Sequence, residues 1–195
     1  AYSAAEGHLV IADSASGEAR EIALPTCSPL ALSLSADATT AYLACFEMDT
    51  NLTRVDLRTG ETTSAPAPHQ VALGVRALND GVIWGGPGGV VFRSALDLTS
   101  VEPVTYDAGC AAPIRKFVGA QDGGALITVG DATGLQACAT VIALGGADAK
   151  VSRFILDSTD ANAVPDAAVS PDGQLVAYGL ADGRVRVFNI EGYAP

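Results

Sequence analysis

The sequence predicts an all-β chain assembled from repeated four-stranded antiparallel units, and three observations carry that expectation. First, Asp-Gly pairs stand between short alternating apolar runs, most clearly where residues 175–180 and 185–190 flank Ala181-Asp182-Gly183-Arg184. Glycine takes the φ > 0 turn position without steric cost, so this spacing is a strong short-range hairpin signal. Second, no stretch of eleven or more residues holds an apolar stripe of helical period free of glycine, proline or β-branched alternation. Third, the strand-and-turn pattern repeats. LVIADSASGE at 9–18 matches LTRVDLRTGE at 52–61, followed by VFRSALDLT at 91–99, a degenerate ATVIALG at 139–145, and VRVFNIEG at 185–192. Asp13 to Asp56 is 43 residues, Asp56 to Asp97 is 41, and Asp97 to Asn189 is 92, two further steps of 46. A period in the low to middle forties with short strands is that of four-stranded propeller blades.

Each period divides into strands A to D in chain order. The first begins at B, with strands expected at 2–4, 9–12 and 21–24. The second supplies all four, at 30–35, 41–46, 52–57 and 62–65. The third gives 71–78, 81–84, 90–96 and 102–106, and the fourth 114–120, 125–129, 136–144 and 152–156. The fifth supplies A, B and C at 167–170, 175–180 and 185–190. We therefore expect one β-propeller domain or segment over 1–195, with about five blades at 1–26, 27–68, 69–109, 110–162 and 163–195. The end blades overlap in strands B and C instead of complementing each other. That favours an incomplete ring or part of a larger propeller. The alternative is a four-bladed ring closed by residues 21–24.

The stretch HLVIADSASGEAREIAL at 8–24, then SPLALSLSAD at 28–37 and AYLA at 41–44, resembles the YVTN, surface-layer type of β-propeller repeat. SPDG at 170–173 followed by LVA at 175–177 is similar to the form shared with WD40-like and TolB-like propellers. These motifs are structural, and the Trp-Asp dipeptide of true WD40 repeats is absent. The third and fourth periods keep the turn glycines, in Asn79-Asp80-Gly81 and Gln121-Asp122-Gly123-Gly124, without Ser-Pro.

Composition narrows the function classes. Of 195 residues, 49% are hydrophobic and 17% charged, which describes a packed globular protein. The formal net charge of −11, with lysine only at 116 and 150, opposes binding to a phosphate backbone, so no nucleic-acid partner is expected. No apolar run approaches the ~20 residues of a membrane-spanning helix, so no membrane span is expected. Ala1-Tyr2-Ser3 is not an initiator sequence and no signal peptide opens the chain, which suggests a processed or excised segment.

Blade topology selects one pairing of the four cysteines. D–A connections and B–C hairpins emerge on the same face, so Cys27 before β-strand A meets Cys45 at the end of strand B. Cys110 occupies the equivalent D–A position and Cys138 follows a B–C turn. Disulfides Cys27–Cys45 and Cys110–Cys138 follow, and with them a secreted, periplasmic or cell-surface location. Four buried thiols are the alternative. A zinc site is disfavoured by the lack of C-x-x-C and of a nearby histidine.

For catalysis the chain offers little. His8 and His69 fall in different blades with no motif-defined serine partner. Asp13, Asp56 and Asp97 recur at strand C ends, where aspartate accepts turn hydrogen bonds. No catalytic residue, cofactor or metal ligand is assigned. The candidate contact surface is the D–A/B–C loop face: residues 25–29, 46–51, 66–70, 85–89, 109–113, 131–134 and 181–184. Its named candidates are Glu47, Asp49, Asn51, His69 and Trp84, the last as an exposed aromatic anchor, though a core tryptophan is the favoured reading of that residue. Asn51-Leu52-Thr53 is also a glycosylation sequon, which points to surface exposure.

The expected function is a non-enzymatic extracytoplasmic scaffold that binds a protein partner, or an additional chain completing the propeller, through that face. Two alternatives are the propeller part of a lactonase-like hydrolase or redox enzyme, and a self-assembling subunit of a surface layer or filament.

Overall fold

A computed structural model describes residues 2–5, 7–24, 27–46, 52–65, 72–86, 90–104, 114–119, 126–130, 138–143, 150–155, 167–170, 175–179 and 183–189. Among the described residues the chain is eighteen strands and no helix. Sheet 1 is β1 (Tyr2–Ala5), β2 (His8–Ala12) and β3 (Ala19–Ala23), paired in that order. Sheet 2 is β4 (Pro29–Leu34), β5 (Thr40–Cys45), β6 (Leu52–Asp56) and β7 (Thr62–Ser64). Sheet 3 runs from β8 (Gly74–Ala77) through β9 (Val82–Gly85) and β10 (Val91–Ser94) to β11 (Val101–Val104). Sheet 4 is β12 (Ile114–Gly119), β13 (Leu126–Gly130), β14 (Cys138–Ala143) and β15 (Lys150–Ile155). Sheet 5 is β16 (Ala167–Val169), β17 (Leu175–Gly179) and β18 (Val185–Asn189).

Every sheet is an up-and-down meander, in which consecutive strands of three to six residues are neighbours. The strands fall where the period placed them. β3 pairs with β2 and stays in sheet 1, so it does not close the last sheet as the four-bladed alternative required.

The turns explain the repetition. In sheet 1 the Asp13 N–H donates to the Glu18 carbonyl at 2.8 Å and Gly17 N–H to the Asp13 carbonyl at 2.9 Å. In sheet 2 Asp56 N–H donates to the Glu61 carbonyl and Gly60 N–H to the Asp56 carbonyl, each at 2.9 Å. Gly17 and Gly60 take φ of +75° and +81°, a conformation strained for any residue with a Cβ. One turn is thus written twice, 43 residues apart. The A–B hairpins repeat as well. Ser35 Oγ accepts the Thr40 N–H at 3.0 Å, and Ser170 Oγ accepts the Leu175 N–H at 2.9 Å. In the hairpin that opens β18, Gly183 takes φ of +85°.

The chain divides into two compact units, one of residues 1–84 and 93–102, the other of 85–92 and 103–195. In the first unit, sheet 1 packs on sheet 2. Leu9, Ile22 and Leu24 meet Ala41, Leu43, Cys45, Val55 and Leu57 in a buried cluster, with Ile11, Leu32 and Leu34 packed against it. Strand alternation puts Tyr42, Leu52 and Arg54 on the opposite face of sheet 2. That face meets β8 and the turn after β10. Ser33 Oγ accepts the Ala77 N–H at 2.9 Å, and the Tyr42 hydroxyl donates to the Leu96 carbonyl at 2.9 Å. Sheet 2 therefore offers one face to sheet 1 and the other to sheet 3. In the second unit, β12 of sheet 4 lies beside β16 of sheet 5.

Candidate functional site

The loop face is best defined at sheet 2. Cys27 lies in the connection into β4 and Cys45 ends β5, and their sulfurs are bonded with the Cα atoms 5.1 Å apart. Both cysteines are buried in the sheet 1–sheet 2 cluster. Backbone bonds bracket the crosslink: Cys27 N–H donates to the Leu24 carbonyl at 3.2 Å, and Phe46 N–H to the Ser28 carbonyl at 3.0 Å. Pro29 stands opposite Cys45, and the register then shifts by one residue before Ala31. That bulge takes Leu30 out of the ladder and re-aims its side chain.

Two large apolar side chains are left in solvent at this corner. Phe46, one residue past Cys45, is 61% exposed, and Leu30, one residue past Pro29, is 49% exposed. The backbone puts them at the same ends of two paired strands, on a corner held by a covalent bond. Single exposed apolar residues are ordinary on protein surfaces. Here two of them stand where a disulfide and paired strands restrain the backbone, which lowers the backbone ordering cost of any contact made there.

Trp84 requires a correction. It is not an exposed anchor but fully buried in β9, whose four residues are all buried between β8 and β10. Its indole N–H donates to Ser94 Oγ at 2.9 Å, which satisfies the one polar atom that burial would otherwise strand. The core reading of this tryptophan is the one the structure bears out, and the exposed aromatic near the loop face is Phe46. The signal for Phe46 was an aromatic directly after the cysteine that ends strand B.

Glu47, Asp49, Asn51 and His69 lie outside the described residues, as does most of the loop face beyond positions 27–29, 46, 85–86 and 183–184. Cys138 begins β14, while Cys110, and with it the second expected disulfide, lies outside the described residues. His8 is exposed at the start of β2.

The recurring aspartates do the work of turns. Ser16 and Ala15 N–H groups donate to Asp13 Oδ1 at 2.9 and 2.7 Å, and Thr59 and Arg58 N–H groups to Asp56 Oδ1 at 2.8 and 2.9 Å. These donors favour the ionised carboxylate and hold both groups below the usual aspartate value. Asp97 differs from both. The Thr99 hydroxyl and N–H donate to its Oδ1 at 2.7 and 3.1 Å, and Leu98 N–H bonds the Ala95 carbonyl. That is the A–B turn of sheet 2, where Thr39 caps Asp37 and Ala38 N–H bonds the Ser35 carbonyl. Ala38 and Leu98 share the same left-handed backbone, at φ of 55° and 62°. Asp97 sits at the expected repeat position but is built as a different turn. Among the described residues, no group of three or more histidine, cysteine, aspartate or glutamate side chains gathers as a metal site would.

No family model and no curated protein matches the chain. Solved structures do. The chain is similar to hydrazine synthase of Kuenenia stuttgartiensis, with a TM-score of 0.74 at 14% identity over 89% of its length. It is similar to a chain of a nidogen/laminin complex, with a TM-score of 0.73 at 16% identity over 96%. It is also similar to TolB from Acinetobacter baumannii, with a TM-score of 0.71 at 16% identity over 95%. The fold is a partial β-propeller. The chain spans about half the length of the hydrazine synthase and TolB chains, 49% and 46%, and 73% of the nidogen/laminin one. At these identities the likeness is one of fold. What these structures share with the resemblance read from the sequence is the propeller architecture.

Proposed function

We propose that this propeller segment is a protein-binding scaffold, working in an oxidising extracytoplasmic compartment, whose contact point is the Cys27–Cys45 corner of sheet 2. The observation that carries the proposal is the exposed pair Phe46 and Leu30 on a strand end locked by a buried disulfide. Aromatic residues dominate the binding energy of protein interfaces, and a rigid platform lowers the ordering cost of using them. A disulfide is maintained where the compartment is oxidising, which supports the location. The similarity to a chain of a nidogen/laminin complex supports protein binding only by likeness of fold, so the surface itself bears the argument. Glu47, Asp49 and Asn51, which follow Phe46 in sequence, and His69 of the next D–A connection are proposed as further contact residues of the same loop face.

The test compares wild type with the double variant Phe46→Ser, Leu30→Ser as immobilised bait in extracts of the source cells. A partner captured by wild type and lost by the variant, at unchanged circular dichroism, is the expected result. An identical set of captured proteins would place the contact elsewhere.

A further inference from the structure

We propose that Thr62 and Thr63, on the edge strand β7 of sheet 2, are a site of O-linked glycosylation, and that the sugar guards this edge. An edge strand presents unpaired N–H and C=O groups that invite pairing with other chains, and proteins blunt it with charge or proline. The last strands of sheets 1, 3 and 4 carry such guards: Arg20 and Glu21 in β3, Glu102 and Pro103 in β11, Lys150 and Arg153 in β15. The last strand of sheet 2 is Thr62-Thr63-Ser64, with neither charge nor proline. Its ladder on β6 pairs Val55 with Thr62, Arg54 with Thr63 and Thr53 with Ser64. The Ala65 N–H extends it by donating to the Leu52 carbonyl at 2.9 Å, so the uncharged edge runs from Thr62 to Ala65.

The hydroxyls along this edge differ in what they do. Ser64 Oγ is bonded to the buried Thr53 Oγ1 at 3.1 Å. In the preceding turn Thr59 Oγ1 accepts the Glu61 N–H at 3.2 Å. Thr62 and Thr63 are exposed, and among the described residues no hydrogen bond engages either hydroxyl. Strand alternation sends the two side chains to opposite faces, so β7 offers an acceptor hydroxyl on each side of an extended backbone. In sequence the strand leads into Ala65-Pro66-Ala67-Pro68. Serine and threonine beside repeated proline is the composition of O-glycosylated segments.

The donor is a sugar carried on a nucleotide or lipid phosphate. Threonine Oγ1 bonds the anomeric carbon as the bond from that carbon to the phosphate oxygen breaks. The phosphate carrier leaves with the electron pair, and the hydroxyl proton passes to a base of the transferase. The attached sugar is bulky and solubilising, and it stands where another strand would have to approach. It supplies at sheet 2 what charge and proline supply at the other edges.

The inference rests on the extracytoplasmic reading above, and the test separates the two. The chain is purified from its source cells without reductant, digested with trypsin, and the peptide of residues 59–76 is sequenced by fragmentation that retains sugars. The expected result is a mass gain of whole hexose or N-acetylhexosamine units on Thr62 or Thr63. Thr62→Val with Thr63→Val keeps the β-branched shape and should lose that gain, while Ser64→Ala should keep it. An unmodified peptide overturns the proposal: with Cys27 and Cys45 bonded in the same sample it falls alone, and with both as free thiols the compartment falls too. A sugar confined to Thr59 or Ser64, or a phosphate in place of a sugar, also overturns it.

Discussion

Cutting the Cys27–Cys45 bond tests whether sheet 2 owes its rigidity to the crosslink or to packing alone. The cysteines are separated by 18 positions. In the chain-entropy model, closing a loop of that size removes about 11 cal/mol/K from the unfolded ensemble, which stabilises the fold by about 3 kcal/mol at 25 °C. The perturbation is Cys27→Ala with Cys45→Ala, in a background carrying Cys110→Ser and Cys138→Ser so that reduction reports on one bond. Truncating two buried sulfurs adds a packing loss of about 1–2 kcal/mol. Reduction of the parent protein keeps both sulfurs in place, so it isolates the crosslink from the packing. The assay is urea unfolding followed by Trp84 fluorescence, which reports on sheet 3 and on anything that unfolds cooperatively with it. With a slope of about 2 kcal/mol per M, reduction should lower the midpoint by about 1.5 M, and the alanine pair should lower it further. A midpoint that moves by less than about 0.3 M on reduction would refute the reasoning. It would mean that the hydrogen bonds at Leu24 and Ser28 hold the corner unaided.

Four other outcomes follow from the hydrogen bonds and turns. Ser33→Ala removes the acceptor of the buried Ala77 N–H and should cost about 1–3 kcal/mol in denaturant unfolding. Tyr42→Phe deletes the bond to Leu96 and should cost about 1 kcal/mol, and the phenol of the parent protein should titrate above its usual value because burial disfavours the charged form. Gly17→Ala and Gly60→Ala place a Cβ on the same left-handed backbone, so each should cost about 1–2 kcal/mol, and similar values in melting curves would confirm that the two turns are one device. Asp13, Asp37, Asp56 and Asp97 are all held below the ordinary value of 3.8, so the unfolded chain binds protons more readily than the folded one. Their contribution is present above pH 4 and is lost as pH falls below 3.8 through the folded values. Replacing all four by asparagine should flatten that part of the stability–pH curve.

Most of the strand order was legible because a strand of alternating residues between glycine or aspartate turns is a local object. Its hydrogen bonds close within a few residues, as those from Asp13 to Glu18 and from Asp56 to Glu61 do. The Cys27–Cys45 pairing was legible for a related reason. Reversal of direction at each turn puts both cysteines at one end of adjacent strands, and the 5.1 Å Cα separation realises that. Trp84 was not legible in this way. The run Val82-Ile83-Trp84-Gly85 reads equally as the end of a strand or the start of a loop, and only pairing on both sides decides that the indole is inside. Asp97 misled differently, since its place in the period matched Asp56 while its turn chemistry followed Thr99 and the left-handed Leu98.

By itself, the sequence determined the period, the all-β class, the meander within each sheet and the cysteine pair that marks the corner of sheet 2. These depend on contacts a few residues apart or on the parity of strand direction. Only the tertiary structure decided which apolar residues are covered. Phe46 and Val187 sit among strand patterns that any burial rule would send inward, yet both stand in solvent, and Trp84 on the presumptive surface is sealed in. Burial is a property of what the neighbouring sheet supplies, and that neighbour lies some forty residues away along the chain.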